Sequence, residues 1–291
     1  MNRPTTAWEA IRALPAAEIA GWVIVPILFI AGFLSFLVYC AVRGMPRSPR
    51  LDKISKNRLI PRIVLEYGYV CLLGLPVRGL VALGITADMV SYASLVLAVV
   101  GAAYFARGWF ALGGWLFYLS FILDAMDGMV ARARGTSSDR GEFLDALLDR
   151  YVDFAVSLGM MWYYRDEPLP LALAVAGMVG TSVMGYARAK GEACGIDPNV
   201  GFMQRHERAV FLGTCSCCSP FVAAITEPGA AHPHHWLVIF AMGVVALFSN
   251  VTAIWRSHYV MARMKRPAAR RPDPSVVAAA PAALSREEPA A

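Results

Sequence analysis

Charged side chains are scarce in this chain. Asp, Glu, Lys and Arg make up only 16% of its 291 residues, whereas hydrophobic residues make up 57%. The mean hydropathy is accordingly +0.51. Because an ordinary soluble domain carries about 25% charged residues, this composition excludes one. It predicts a protein that crosses a membrane several times.

Acidic residues are the scarcer charge, with 21 Asp and Glu against 27 Lys and Arg, which leaves a net charge of +6. No nucleic-acid-binding motif accompanies the basic excess, so we assign it to cytoplasmic loops that face anionic lipid and expect no nucleic acid as a partner. Cysteine is also sparse, with six residues. The C-x-C-C cluster at 215–218 lacks His or acidic neighbours, which favours buried reduced thiols over a zinc site.

Four aspartates stand at fixed offsets within this apolar background. Their string is D-x-x-D-G-x-x-A-R and, after eight residues, G-x-x-x-D-x-x-x-D. Asp124 and Asp127 are three residues apart and Asp145 and Asp149 are four apart, so each pair shares one face of a helix. Two such helix ends can converge on Mg²⁺ or Mn²⁺. Because the flanks are apolar enough for a membrane, a functional role is favoured over solvated surface charge.

The eight fixed positions of this string match the signature of the CDP-alcohol phosphotransferase family, and a weaker resemblance covers most of residues 80 to 262. The resemblance implies that a phosphate-linked alcohol is transferred from a CDP-activated donor to an acceptor hydroxyl, with release of CMP. It also implies six core transmembrane helices, two Mg²⁺ or Mn²⁺ ions and a homodimer.

The resemblance assigns roles to individual residues. It places Asp124, Asp127, Asp145 and Asp149 around the metal ions and makes Asp149 the candidate general base, although the sequence alone does not separate a base from a ligand. The residues expected to contact the CDP group are Asp88, Asp127, Gly128, Ala131, Arg132, Gly141 and Asp145.

Two of these CDP-contact assignments have structural alternatives. Gly128 and Gly141 would let a nucleotide approach the helix closely, but small residues also serve helix packing in membranes. Asp88 follows Thr86 and Ala87, where the family opens its first core helix with T-P-N or T-P-D. It either contacts the nucleotide or caps the helix, and capping is the safer interpretation.

A second group of charges bears on the acceptor. The segments YARAKGE and GFMQRHER resemble the phosphatidylinositol-phosphate and archaetidylinositol-phosphate synthase branch of the family, although Gln204 stands where that branch has Glu. A phosphorylated acceptor needs several cations, whereas serine does not. Ordinary positive-inside charge is the alternative explanation. The expected acceptor contacts are Arg188, Lys190, Arg205, Arg208 and Arg256.

The hydrophobic pattern divides the chain into four parts. Residues 1–43 hold an extra N-terminal transmembrane helix, Ile19 to Val42, and residues 44–85 a basic linker with an amphipathic helix on the cytoplasmic interface, Leu59 to Leu83. Residues 86–263 form a six-helix catalytic core, and residues 264–291 a disordered cytoplasmic tail. The expected core spans are Thr86–Ala106, Trp109–Ala131, Phe143–Tyr164, Leu169–Ala187, Ala209–Ile225 and Trp236–Trp255.

The distribution of Lys and Arg between loops predicts the orientation. It puts the N-terminus outside and the aspartates and the C-terminus in the cytoplasm, in a cell inner membrane. The sequence therefore predicts an all-α, multi-pass, metal-dependent phosphatidyltransferase of phospholipid biosynthesis.

The expected reaction joins CDP-diacylglycerol with inositol phosphate. Glycerol 3-phosphate or another alcohol is the alternative acceptor. A non-catalytic membrane scaffold of the same fold and a cation transporter are the alternative functions. The intact aspartates argue against the scaffold, and their expected position at one membrane face argues against the transporter.

Overall fold

The computed structural model describes residues 73–198 and 200–264, together with positions 19, 27, 34–38 and 40–42. In these residues every regular element is helical, which confirms the predicted all-α class. The helix predicted over Ile19 to Val42 lies for the most part outside the described residues. The basic linker up to residue 72 and the tail from residue 265 lie entirely outside them.

Seven helices follow one another between residues 75 and 263 of the described chain. The first, α1 (Leu75–Ala82), is short. The six long ones are α2 (Ala87–Ala106), α3 (Phe110–Ala133), α4 (Asp139–Tyr163), α5 (Pro168–Ala193), α6 (Arg205–Thr226) and α7 (Trp236–Arg263). Five of these six helices, all except α4, are apolar enough and long enough to cross a membrane. The chain is therefore a multi-pass integral membrane protein.

Three long helices extend further towards the predicted cytoplasmic side than the hydrophobic pattern indicates. α5 continues to Ala193 rather than Ala187, α6 begins at Arg205 rather than Ala209, and α7 continues to Arg263 rather than Trp255. Hydropathy ends a predicted span where charge appears, but the helical backbone continues through it. A capping box between Gln204 and Glu207 fixes the early start of α6. The predicted acceptor residues therefore lie on helices.

Small residues bring the long helices close together. A Cβ atom on Gly114 of α3 would lie 2.8 Å from Cys217 Sγ of α6, and one on Gly180 of α5 would lie 2.6 Å from Asn250 of α7. A Cβ atom on Gly159 of α4 would overlap the Ala102 carbonyl of α2. These positions follow the small-residue packing of membrane helices. A buried cluster that includes Phe105, Phe110 and Phe117 fills the space between the helices.

The short helix α1 packs on one end of α2 and α3. Val77 of α1 contacts a cluster that includes Val90 of α2 and Met126 and Val130 of α3. Arg134, just after α3, donates to the Ile85 carbonyl over 2.8 Å and ties the same elements together. This end of the bundle carries the aspartates.

A loop between α6 and α7 closes the opposite end of the bundle. Tyr163 Oη donates to the Pro233 carbonyl over 2.5 Å, and Tyr164 Oη donates to the His234 carbonyl over 2.8 Å. His235 has a left-handed backbone, with φ at 55°, and lies buried against Phe110. The loop is thus fixed to α3 and α4.

Candidate active site

A turn of five residues brings the two aspartate pairs to one end of the bundle. α3 ends at Ala133, Gly135 turns the chain with φ at 66°, and Ser138 begins α4 by accepting from the Gly141 N–H over 3.2 Å. The last turns of α3 and the first turns of α4 therefore lie at the same level. Oxygen atoms of Asp124, Asp127 and Asp145 all lie within 4.8 Å of one another. We call these three residues the aspartate triad.

Asp127 is the most firmly held member of the triad. It is buried, and Ser91 Oγ of α2 donates to its Oδ2 over 2.5 Å. The Gly128 N–H donates to its Oδ1. Ser91 was missed in the sequence analysis. One feature of the sequence could have indicated Ser91: it lies three residues after Asp88 and therefore on the same face of α2.

Asp149 is not a member of the triad, although the sequence analysis placed it among the metal ligands. Arg205 lies between it and Asp124: Arg205 Nη1 is 2.6 Å from Asp124 Oδ2, and Nη2 is 2.7 Å from Asp149 Oδ1. Arg205 had been predicted as an acceptor contact. The structure places its guanidinium among the aspartates.

The donor set fits a divalent metal ion. The three carboxylates of the triad converge, Asp149 is joined to Asp124 through Arg205, and the single guanidinium offsets only part of the negative charge. Carboxylate oxygens are the ligands that hard cations such as Mg²⁺ and Mn²⁺ prefer.

A cavity of about 650 Å³ lies beside the triad, between α2, α3 and the start of α4. Its volume is within the range of small-molecule sites. It is lined by all of the residues predicted to contact the CDP group, namely Asp88, Asp127, Gly128, Ala131, Arg132, Gly141 and Asp145.

The two glycines of the cavity are not required by helix packing. A Cβ atom on Gly141 would make one ordinary contact, 3.5 Å from Ser138 Oγ, and one on Gly128 would lie 3.1 Å from the end of the Arg132 side chain. The packing glycines Gly114 and Gly159 meet a neighbouring helix instead. Helix packing therefore does not explain Gly128 and Gly141. Close approach of a ligand remains as the explanation.

The capping interpretation of Asp88 is wrong. Thr86 is the N-cap of α2, because its side chain accepts from the Met89 N–H over 3.3 Å. Asp88 lies in the first turn and forms an ion pair of 3.3 Å with Arg140, which reaches across from α4. This pair stands at the rim of the cavity.

Four of the five predicted acceptor residues form a row of positive charge. Arg208 interacts electrostatically with Arg205 and Arg256, and Arg256 interacts with Arg188. Arg208 and Arg256 are buried, whereas Arg188 is exposed and pairs with Glu192 at 2.8 Å. Lys190 is exposed at the end of α5. Carboxylates accompany the row: Arg205 pairs with Asp124 and Asp149, Arg208 with Asp153, and Arg188 with Glu192.

Comparison with known proteins gives consistent matches. The model of the CDP-alcohol phosphatidyltransferase family matches residues 84–255. Phosphatidylinositol phosphate synthase of Mycobacterium tuberculosis (strain ATCC 25618 / H37Rv) is 32% identical over 195 residues, which cover 65% of this chain and 88% of that enzyme.

Crystal structures of the Mycobacterium tuberculosis synthase have a similar fold. The structure with CDP-DAG bound gives a TM-score of 0.57 at 30% identity and covers 66% of this chain and 96% of that chain. The structure in complex with manganese and citrate gives a TM-score of 0.58 at 30% identity and covers 66% of this chain and 91% of that chain.

Proposed function

The chain belongs to the CDP-alcohol phosphatidyltransferase family, and we propose that it transfers the phosphatidyl group of CDP-diacylglycerol to a hydroxyl of inositol phosphate, with release of CMP. The observation that carries this proposal is the row of arginines beside the aspartates, because a phosphorylated acceptor needs such cations. The similarity to enzymes named phosphatidylinositol phosphate synthase supports the same reaction.

The donor nucleotide would occupy the 650 Å³ cavity. Its diphosphate would then lie next to the triad, with the cytidine against the bare backbone of Gly128 and Gly141. Arg132, whose guanidinium lies against Gly128, can donate to a phosphate oxygen. The structure of the Mycobacterium tuberculosis synthase with CDP-DAG bound supports this donor.

Asp124, Asp127 and Asp145, with Asp149 beside them, would hold the two Mg²⁺ or Mn²⁺ ions of the proposed reaction. The manganese-bound structure of the Mycobacterium tuberculosis synthase supports a divalent ion. Bound there, such ions neutralise the donor diphosphate and the charge that develops on the leaving CMP. Ser91 keeps Asp127 in the orientation that this site needs, because its hydroxyl donates to Oδ2.

Asp149 would act as the general base. It takes the proton of the acceptor hydroxyl, whose oxygen forms a bond to the phosphorus that carries diacylglycerol. The bond from that phosphorus to the bridging oxygen breaks, and the electron pair leaves with CMP. Arg205 holds Asp149 Oδ1 at 2.7 Å and so fixes the carboxylate at the junction of the cavity and the arginine row.

We further propose an orientation in the membrane and an assembly. We place the aspartates at the cytoplasmic face of a cell inner membrane, because Lys and Arg concentrate at that end of the bundle. We also propose that residues 86–263 are the catalytic core of a homodimer; the segments predicted before residue 73 lie for the most part outside the described residues.

An acceptor panel tests the function. Purified protein would be given CDP-diacylglycerol and Mg²⁺ or Mn²⁺ with inositol phosphate, glycerol 3-phosphate, free inositol or serine, and both CMP and the lipid product would be measured. We expect product with inositol phosphate and little with the unphosphorylated acceptors. A preference for glycerol 3-phosphate would replace the acceptor, and absence of CMP release with every acceptor would favour a scaffold.

One variant tests the arginine row itself. Arg256→Gln should raise the KM for inositol phosphate roughly 10- to 100-fold, because a hydrogen bond to a charged group contributes about 1.5–3 kcal/mol. The KM for CDP-diacylglycerol should remain the same. Arg263→Gln, two turns further along α7 and exposed, is the matched control. Equal effects of Arg256→Gln on both substrates would contradict the acceptor site.

A further inference from the structure

Asp153 lies one turn beyond Asp149 on α4, on the same face, but it belongs neither to the aspartate triad nor to the lining of the 650 Å³ cavity. Its Oδ2 atom lies 3.6 Å from Arg208 Nη2 and 3.7 Å from Arg150 Nη1. That oxygen is buried and accepts no hydrogen bond within the described part of the chain. Asp153 therefore acts on both guanidinium groups through its charge.

The two cations connect Asp153 with neighbouring helices. Arg208 of α6 has a side chain that is only 7% exposed, so it needs a counter-charge. Arg150 of α4 donates to the Thr181 carbonyl of α5 over 3.4 Å. Its guanidinium fills the space left by Gly185, where a Cβ atom would lie 2.6 Å away. One carboxylate thus links α4, α5 and α6.

Arg208 also holds the corner at which α6 begins, residues 202–205. Its Nη1 donates to the Met203 carbonyl over 3.2 Å. Met203 has φ at 58°, a left-handed backbone that is costly for a residue with a side chain. Contacts from outside the corner must maintain this conformation. Thr252 Oγ1 supplies others by bonding to the backbone N–H and carbonyl of Phe202.

The position of Arg205 depends on this corner. Arg205 is the first residue of α6, directly after Met203 and Gln204, and its guanidinium bridges Asp124 and Asp149. A change in the corner would change where α6 starts and hence where the guanidinium lies. Among the residues that the structure describes, no ion pair of Asp153 reaches the walls of the 650 Å³ cavity, which are α2, α3 and the first turns of α4.

We propose that Asp153 is a positioning residue of the transfer reaction: by holding Arg208 it fixes the corner 202–205, from which Arg205 reaches Asp124 and Asp149. The inference rests on the proposed function for the reaction that it serves. Asp153 itself touches no reacting atom. Its loss should therefore impair turnover and spare the binding of the donor.

The test combines kinetics with hydrogen exchange on the purified full-length chain. Asp153→Asn keeps the volume and removes the charge, so we expect kcat to fall at least tenfold while the KM for CDP-diacylglycerol stays within about twofold. Amide exchange should accelerate at residues 202–208 and stay unchanged in α2. A uniform acceleration over all helices, or a wild-type kcat in the folded variant, would overturn the proposal.

Two further variants separate the loss of the Asp153 charge from other effects of a substitution. Asp153→Glu keeps the charge, and a small cavity of about 60 Å³ beside Asp153 can take the longer side chain, so kcat should stay within about threefold. Equal losses in the Glu and Asn variants would overturn the proposal. Asp166→Asn, at the far end of the bundle and paired with Arg165 at the surface, should change neither readout.

If Asp153→Asn does not fold, Arg208→Lys replaces it. A lysine keeps the positive charge near Asp153 but lacks the fork that reaches Asp153 and the Met203 carbonyl together. Exchange at 202–205 should still accelerate, and normal protection there would contradict the inference. The exchange measurements need no acceptor, so they test the corner even if the wild type releases no CMP and the proposed function fails.

Discussion

Individual residues of the site differ in how firmly the fold holds them. Both oxygens of Asp127 accept hydrogen bonds from neighbouring groups, whereas Asp149 is held through Arg205. A ligand with both oxygens fixed suits a binding role that does not change during the reaction. Asp149, whose carboxylate lies at the junction of the 650 Å³ cavity and the arginine row, suits proton transfer. The difference supports separate roles for Asp127 and Asp149.

The base assignment leads to a direct prediction. Asp149→Asn keeps the shape of the side chain, but an amide cannot accept the acceptor proton. We expect kcat to fall by about 10²- to 10⁴-fold, the range of general-base contributions. The unfolding temperature in detergent should stay close to that of the wild type. Near-normal turnover would remove Asp149 from the proton transfer.

Alanine substitutions at two glycines distinguish contact with a ligand from packing between helices. Gly141→Ala adds a methyl group to the wall of the cavity, where the protein leaves it room. We expect the KM for CDP-diacylglycerol to rise roughly tenfold or more and the stability to stay equal or improve, because alanine favours a helix. Gly159→Ala should instead lower the unfolding temperature, since its methyl group meets the Ala102 backbone. A donor KM unchanged by Gly141→Ala would argue against nucleotide contact there.

At the scale of elements, the loop between α6 and α7 holds two adjacent histidines in opposite electrostatic conditions. The His234 ring donates a hydrogen bond to the Glu227 carboxylate, which raises the pKa of His234, and Glu167 lies 3.9 Å from its other ring nitrogen. Burial lowers the pKa of His235 to about 4, although Glu227 opposes this and His232 adds to it. The neutral His235 ring bonds to Ser219 Oγ over 2.9 Å.

These two shifts predict a pH dependence of stability with a definite sign. Below the ordinary histidine pKa of about 6.5 the unfolded chain binds a proton at position 235 that the folded loop rejects until about pH 4. Stability should therefore fall as the pH drops from 6.5 towards 4, by up to about 1.4 kcal/mol per pH unit for this one proton. His234 contributes in the opposite sense, with a stabilisation that is complete below pH 6.5 and lost as the pH rises through its raised pKa.

Unfolding temperatures in detergent between pH 4 and pH 8 measure this effect. His235→Gln should reduce the loss of stability between pH 6.5 and pH 4, and His234→Gln should remove stabilisation mainly at the acidic end. Identical pH profiles for the wild type and His235→Gln would contradict the assignment of this loss to the buried ring.

The sequence predicts the helices and the spacing of the aspartates, but it does not predict which side chains connect one helix with another. The hydrophobic pattern predicts all six long helices, α4 among them as Phe143–Tyr164, and the fixed spacing predicts which carboxylates share a face. Hydropathy could not locate the start of α6 at Arg205, because a charged residue lowers the score while the capping box extends the helix. Ser91 and Asp153 escaped prediction because their partners are distant in sequence.

At the scale of the whole molecule, the proposed orientation can be tested with a native cysteine. Cys194 is exposed at the end of α5, on the same side as the aspartates. A membrane-impermeant thiol reagent should reach it only from the cytoplasmic side. Cys194→Ser should abolish this labelling, and Ala231→Cys in the opposite loop should be labelled only from outside. Labelling of Cys194 from outside would invert the topology.

The polar half of α4 has a consequence for how the chain is made. Asp149 and Asp153 pair with Arg205 and Arg208, which belong to α6 and leave the ribosome after α4. Each unpaired Asp near a helix centre costs about 2.5–3.5 kcal/mol when a translocon passes a segment into lipid. α4 would therefore enter the bilayer poorly on its own and would wait beside the translocon until α6 is synthesised. Insertion of α4 and the proposed reaction would thus depend on the same two arginines.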